Sequence, residues 1–299
     1  MTGSIWSYPD RGPWGNARYR GNCSGHLVGD LLRCLGSRSM IDPCVGSGTS
    51  VEVAREMGVQ AVGLDLHSGF NLLRDSIAEV AGGCADLVFS HPPYGDMIQY
   101  SGVMYPGEHP DDLSRCADVE EFLEKMSQAL LNQRDATVPG GHYATLVGDQ
   151  RKQGRYISYQ AELIARMPRD ELQGVIIKAQ HNCQSNSNWY VNIGGGLPRI
   201  SQEYLLVWRR PNAPVSLLGT LHALADQAAS RLRSTWRAIV RQALVSVGGE
   251  ADLSTLYGVV ERNAGDRVAF NPNWKAKVRQ TLQLYEGFRP LGSGRWALA

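Results

Sequence analysis

Two short runs of residues have the types and spacings that chemistry needs. Ser90-His91-Pro92-Pro93-Tyr94-Gly95 follows the apolar run Ala85-Asp86-Leu87-Val88-Phe89. Two prolines hold the chain in a rigid, extended turn directly after a buried strand. Pro92 has no N–H to give, but its carbonyl can accept, and an aromatic ring follows two residues later. Such a turn suits the floor of a pocket for a flat base that carries an amine, with acceptors for its N–H groups and a ring for stacking. Alone, the tetrapeptide also fits a plain loop or a polyproline-like ligand; its place after a buried strand favours the pocket.

The other run is Asp42-Pro43-Cys44-Val45-Gly46-Ser47-Gly48-Thr49, between a strand and a helix. Gly46 and Gly48 allow a tight turn and close approach to a ligand, and the helix that follows offers unpaired N–H groups. Nucleotide and flavin sites use similar glycine turns, and the lack of a GK[ST] ending removes the phosphate-loop reading. The next strand ends in Gly63-Leu64-Asp65-Leu66. An acid at that tip is where dinucleotide-binding folds hold ribose hydroxyls. The pair points to an adenosyl-type cofactor, with a turn-holding aspartate as the plainer reading of Asp65.

Together these residues resemble the DNA amino-methyltransferases, whose cofactor motif reads DPFxGSGT and whose catalytic motif reads (D/N/S)PPY. Here Cys44 replaces the Phe, and His91 replaces the Asp, Asn or Ser. The resemblance runs element by element from about Tyr19 to Arg210, in one of the family's circular orders. It implies S-adenosyl-L-methionine as cofactor, double-stranded DNA as partner, a flipped-out base, and transfer to adenine N6, with cytosine N4 next. It leaves open the recognition sequence, the setting (solitary, phage-borne or restriction-linked) and the partners beyond DNA, a homodimer and a cognate restriction enzyme among them. His91, Pro92, Pro93 and Tyr94 are the implied catalytic residues: the Pro92 carbonyl accepts from the amine and Tyr94 stacks on the base. Tyr19, Asn22, Asp42, Cys44, Gly46, Ser47, Gly48, Thr49, Asp65 and Asp75 are the implied cofactor residues, with Tyr19 and Asn22 near the methionine end and Asp75 near the adenine. Transfer is a direct in-line displacement that needs no covalent enzyme intermediate, so no cysteine must act. Methylation of an RNA base, and a non-catalytic DNA-binding relative, are the competing readings. His91 is the departure that matters. Neutral imidazole has one acceptor nitrogen and imidazolium has none, so catalysis is expected to weaken as His91 protonates. Family members with Asp here favour adenine and those with Ser favour cytosine, so His91 leaves the base unassigned.

The elements that must position these motifs follow from periodicity. Strands are expected at 38–44, 60–66, 84–90, 142–149, 172–178 and 203–210, with helices at 49–58, 119–133 and 158–167. Alternating strands and helices mean an α/β, Rossmann-like, mostly parallel sheet, and the last two strands are expected to form an antiparallel edge hairpin. Between them, residues 178–190 are dense in Asn, Gln and Ser. Asn182, Asn186, Trp189 and Tyr190 are the candidate DNA contacts there. The stretch 94–114, with Tyr100, Tyr105 and His109, is expected to close over the target base.

Pro211 and Pro214 mark a boundary, giving a catalytic domain over 1–215 and a small, mainly helical, winged-helix-like domain over 216–299 for DNA binding or dimerisation. In the second domain one long helix or two abutting ones are expected at 216–247, with further helices at 252–263, Asp252 as N-cap, and at 271–285, Asn271 as cap. A hairpin at 287–298 turns at Gly292-Ser293-Gly294. Trp274 and Val278 should pack inward, and Lys275 and Arg279 could face phosphates.

Bulk composition bounds the rest. The 299 residues are 43% hydrophobic and 20% charged, with net charge +1. That charge is unevenly spread: residues 217–299 hold eleven Lys/Arg against six Asp/Glu, and the first 216 hold 19 against 23. A basic C-terminal segment on a mildly acidic body can still dock on phosphates. Six cysteines lie scattered without a CxxC pair, against zinc and disulfide frameworks and in keeping with a reducing cytoplasm. No apolar run is long enough to span a membrane, and the N-terminus is too polar for a secretory signal.

Overall fold

Residues 3–100, 107–181, 198–212, 236–264, 268–269 and 271–299 are described by the computed structural model of the chain. Contacts divide it into two units, Met1–Thr220 and Leu221–Ala299.

In the first unit the alternation of apolar side chains along short strands builds the sheet. Adjacent residues in β2 (Ser39–Asp42), β4 (Ala85–Ser90) and β9 (Gln202–Arg209) point to opposite faces, and both faces are covered. Ile41, Val88 and Leu206 meet Phe122, Met126 and Leu130 of α4 (Val119–Asp135). Met40, Leu87 and Leu205 meet Leu27, Val28, Leu31 and Leu32 of α1 (Gly25–Leu35), with Val53 and Ala54 of α2 (Thr49–Glu56). Burial on both faces is why these strands read as continuous apolar runs.

With β1 (Ile5–Ser7), β3 (Gln60–Gly63), β5 (Thr137–Val147) and β8 (Leu172–Ala179), they form seven strands in the order β1-β8-β9-β5-β4-β2-β3. The neighbouring pairs β3–β2, β2–β4 and β4–β5 are parallel, whereas β9 runs antiparallel to both β5 and β8. This is a doubly wound, Rossmann-like sheet. Successive crossovers from β2 leave in opposite directions, to β3 on one side and then back to β4 on the other. The crevice between β2 and β4 is therefore the switch point where such folds bind ligands.

The expected antiparallel pair β8–β9 is present, but it does not form the edge of the sheet. β1 adds outside β8 in parallel, Ile5 opposite Ile177, and buries Trp6. A three-residue strand has too little period to be read from sequence. Two further elements were also unforeseen: helix α1, and a hairpin of β6 (Gln150–Lys152) and β7 (Arg155–Ile157) placed before α5 (Tyr159–Arg166). Among the described residues no helix is long and apolar enough to cross a membrane.

The C-terminal unit runs α6 (Trp236–Ser246), β10 (Glu250–Asp252), α7 (Leu253–Asn263), α8 (Trp274–Leu284), β11 (Phe288–Gly292) and β12 (Arg295–Leu298). Its antiparallel sheet has the order β10-β12-β11. Val240, Leu256, Val260, Trp274, Val278 and Leu282 fill its core, so Trp274 and Val278 do pack inward. Asp252 caps α7 by accepting from Thr255 N–H at 2.7 Å. Helix α8 starts three residues later than expected, because Asn271 spends its side chain on Asn273 N–H (3.0 Å) and its carbonyl on Trp274 N–H. The helix expected over 216–247 is described only from Trp236.

Candidate active site

The turn after β2 is held from inside by Asp42. Its carboxylate accepts from Cys44 N–H at 2.9 Å and from the Ser50 hydroxyl, tying the turn to the first turn of α2. Burial pushes this carboxyl up to about 7, against the pull of those two hydrogen bonds. Asp65 closes the turn from β3, accepting from Gly46 N–H and His67 N–H, each at 2.9 Å. Gly46 has φ +49, and the Tyr19 ring lies so close that an added Cβ would stand 3.0 Å from Tyr19 Cε1. Ser47 donates its hydroxyl to Asn22 Oδ1 at 2.7 Å, which fixes the Tyr19–Asn22 segment over the turn.

These residues border a cleft of about 950 Å³, open mouth included, at the carboxyl ends of β2, β3 and β4. Of the expected cofactor residues, Tyr19, Asn22, Asp42, Cys44, Gly46, Thr49 and Asp65 line it. Ser47 and Gly48 are not among the lining residues; one holds Asn22 and the other caps α2. Asp75 is not among the residues that line the cleft; its carboxylate closes a local turn by accepting from Asn71 N–H at 2.7 Å. The same segment supplies Leu72 and Leu73 to the cleft, which Asp111 and Leu113 also line. None of these four could be read from the motif.

The His91-Pro92-Pro93-Tyr94 turn leaves β4 at the buried Ser90, whose hydroxyl bonds Thr145 at 3.1 Å and Gln133 at 3.0 Å. His91 and Pro93 line the same cleft as the glycine turn, and Pro92 is buried. Tyr94 is not part of the cleft lining. Its ring packs on Gly148, where an added Cβ would sit 2.8 Å from Tyr94 Cε2, so this position demands glycine. Its hydroxyl bonds Glu203 Oε1 and His91 Nε2, each at 2.6 Å. Glu203 Oε2 accepts from Lys178 Nζ at 2.6 Å. The side chains of His91, Lys178 and Glu203 are only 13%, 12% and 6% exposed.

Burial lowers the His91 imidazole to about 4, with the Lys178 charge acting the same way and Glu203 opposing. Burial alone would raise Glu203, but Lys178, His91 and Tyr94 outweigh it and hold the carboxyl below its usual range. Burial and Glu203 drive the Tyr94 phenol far upward. At neutral pH His91 is therefore a neutral imidazole, Tyr94 a phenol and Glu203 a carboxylate, with Lys178 Nζ bonded to the last.

Tyr100 lines the cleft with its ring centroid 5.9 Å from that of Tyr19. His109 instead holds a local turn, its Nδ1 accepting from Asp111 N–H at 3.0 Å. Tyr105, Asn182, Asn186, Trp189 and Tyr190 lie outside the described residues. In the C-terminal unit, Lys275 and Arg279 are exposed around Tyr257. Arg279 donates to its hydroxyl at 2.9 Å, and Lys275 Nζ lies 5.6 Å from its ring centroid.

No protein-family model matches the chain, and no curated protein matches it. Among solved structures it is similar to TrmN from Thermus thermophilus, at 17% identity and a TM-score of 0.38 over 64% of this chain and 50% of that one. It is also similar to TTHA0409 from the same organism, complexed with S-adenosyl-L-methionine, at 24% identity and 0.28 over 43% and 48%. A third is the N-methyltransferase NodS from Bradyrhizobium japonicum WM9, at 14% and 0.30 over 62% and 96%. The chain spans about half the length of the first two. With every one of these TM-scores below 0.5, the Rossmann-like fold stands on the strand order of this chain alone.

Proposed function

We propose that this chain is an S-adenosyl-L-methionine-dependent methyltransferase acting on an exocyclic amino group of a DNA base, adenine N6 first and cytosine N4 second. One observation carries the reading. A single cleft at the β2/β4 switch point joins the DPCVGSGT turn and the HPPY turn, which lie about 50 residues apart in sequence.

The residues present fit such a cofactor. Asp65 accepts one backbone bond on each oxygen and keeps lone pairs for ribose hydroxyls. Leu72, Leu73 and Leu113 give an apolar wall for an adenine ring, and bare backbone at Gly46 permits close approach. Tyr19 and Asn22 stand where the methionine end would lie.

When bound, the cofactor would supply an electrophilic methyl group for the amine nitrogen. The chain's own residues position the amine. Acceptors at His91 and the Pro92 carbonyl bind its two N–H groups, localise the nitrogen lone pair and aim it down the displacement axis. Tyr94, with its ring on Gly148 and its hydroxyl on Glu203 and His91, steadies the His91 ring from outside the cleft lining; a base that reached the exposed part of that ring would gain about 1–3 kcal/mol by stacking.

Two features support a nucleic-acid partner. The β6–β7 hairpin presents Arg151, Lys152, Arg155 and Tyr156, all exposed, and is fastened to the catalytic turn by Lys152 and Gln150 on Asp96. The C-terminal unit is read as a winged helix, with α8 in the place of a recognition helix and β11–β12 as the wing.

The test is methyl transfer from labelled cofactor to duplex DNA and to tRNA, followed by nucleoside mass spectrometry. N6-methyladenine or N4-methylcytosine in DNA supports the reading, and label in tRNA alone replaces it with RNA methylation. Calorimetry supplies a control: Asp65→Ala should weaken cofactor binding by about 10-fold or more, the scale of a hydrogen bond to a charged group. A wild type that fails to bind the cofactor would leave a non-catalytic relative.

A further inference from the structure

The imidazole of His91 has two nitrogens, and the function needs one of them bare. Which one is bare follows from counting protons along the buried chain Lys178–Glu203–Tyr94–His91. The phenol oxygen makes two hydrogen bonds of 2.6 Å and has one proton to give. Glu203 is a carboxylate, because Lys178 Nζ sits 2.6 Å from its other oxygen. A carboxylate can only accept, so the phenol proton points at Glu203. The phenol oxygen must then accept from the other side, and its neighbour there is His91 Nε2.

Other groups around Tyr94 do not disturb this count. Burial pushes Cys23 and Tyr100 each up to about 12, so both stay neutral, and Asp42 is spent on its own turn. Lys178 and Glu203 face each other across the paired strands β8 and β9, so the backbone register fixes the pair.

Resting on the functional reading above, we infer that Glu203, held by Lys178, is the positioning residue that sets the tautomer of His91, making Nδ1 the acceptor for the target amine. His91 is the residue that touches the substrate; Glu203 acts through Tyr94. The chain thereby gives His91 the acceptor role that Asp, Asn or Ser fills in the proteins it resembles, by adding a relay that tells the imidazole which nitrogen to protonate.

Glu203→Gln is the informative substitution, because it reverses the relay with little change of shape. Lys178 can only donate, so it takes the amide oxygen and turns the amide NH₂ toward Tyr94. Tyr94 must then accept from that NH₂ and give its proton to His91 Nε2. The imidazole proton moves to Nδ1, and the acceptor is lost. Expected are a fall in kcat of about 10²-fold, the scale of one misdirected transition-state hydrogen bond, and unchanged cofactor affinity. In ¹⁵N spectra the proton should move from Nε2 to Nδ1.

Tyr94→Phe cuts the relay while keeping the ring. It should leave both tautomers populated and an intermediate rate. Wild-type kcat in Glu203→Gln overturns the inference, and so does a protonated Nδ1 in the wild-type spectrum. That spectrum is taken without substrate and needs no variant, so it decides even where Glu203→Gln does not fold. Absence of methyl transfer by wild type to DNA or RNA instead overturns the functional reading.

Discussion

A histidine at the head of the proposed catalytic turn would tie the chemistry to proton concentration in a way that Asn or Ser would not. An unperturbed imidazole titrates near pH 6.5, which would put a loss of acceptor within the physiological range. Burial among Tyr94, Glu203 and Lys178 lowers His91 to about 4. The sign follows directly. Between these two values the unfolded chain binds a proton that the native imidazole refuses, so His91 costs stability as pH falls from about 6.5 toward 4 and costs none above that window. Activity should follow the folded value. The His91 contribution to the kcat profile is expected only near pH 4, so wild type should show a fall there that His91→Asn, with an acceptor that does not titrate, lacks, while any inflection from the cleft carboxyl of Asp42 near 7 should be common to both. An inflection near 6.5 in wild type that vanishes in His91→Asn would show an imidazole open to water and sink the buried geometry. The identity of this residue was legible in sequence, because HPPY is local. Its controller was not: Glu203 lies 109 residues beyond Tyr94, at the start of a run that reads as a strand. A Lys ending one strand and a Glu opening the next were the available signal. Only the register that pairs them turns it into a contact.

Elements differ in legibility for a physical reason. Strands such as Ala85–Ser90 and Gln202–Arg209, buried on both faces, announce themselves as apolar runs. The β6–β7 hairpin is polar, has three residues per strand, and turns on Gln153-Gly154, not on an Asn-Gly or Asp-Gly pair. Its loop nonetheless has φ of +51 and +75, the geometry that a two-residue turn of this hand needs. Register puts Arg151 opposite Tyr156 and Lys152 opposite Arg155, so the two faces carry different duties. Lys152 and Gln150 hold Asp96 just after the His91–Tyr94 turn, and Tyr156 is fixed by Asp149 at 2.8 Å. Arg151 and Arg155 remain exposed on an element so fastened. If the hairpin meets the backbone that flanks the target base, Arg151→Glu with Arg155→Glu should weaken duplex binding by about 10-fold or more. It should also flatten the salt dependence by roughly two charges, with cofactor affinity unchanged. Fluorescence anisotropy at several salt concentrations measures both; equal slopes for variant and wild type would reduce the hairpin to a solvated turn.

At the scale of the whole molecule, a net charge of +1 conceals an arrangement. If charge were evenly mixed, a chain so close to neutral would bind a polyanion feebly and with little sensitivity to salt. The actual partition, eleven basic against six acidic residues beyond position 216, gives the C-terminal unit a cationic character of its own. Within that unit the basic side chains are not equivalent. Arg295 is paired with Glu250 at 2.8 Å and is already neutralised. Lys275 and Arg279 lie one helical turn apart on α8, gathered on the ring and hydroxyl of Tyr257, and no carboxylate among the described residues pairs with either. They are accordingly the pair to give up counterions when a duplex is bound. Lys275→Ala with Arg279→Ala should lower the slope of log K against log salt by about 2 and weaken binding uniformly across sequences. Arg295→Ala should leave the slope where it was. All three changes should spare cofactor binding, whose residues lie in the other unit. A double variant that keeps the wild-type slope and instead shifts the sedimentation coefficient would assign α8 to contact between copies of the chain, and the DNA contacts would then rest with the catalytic unit.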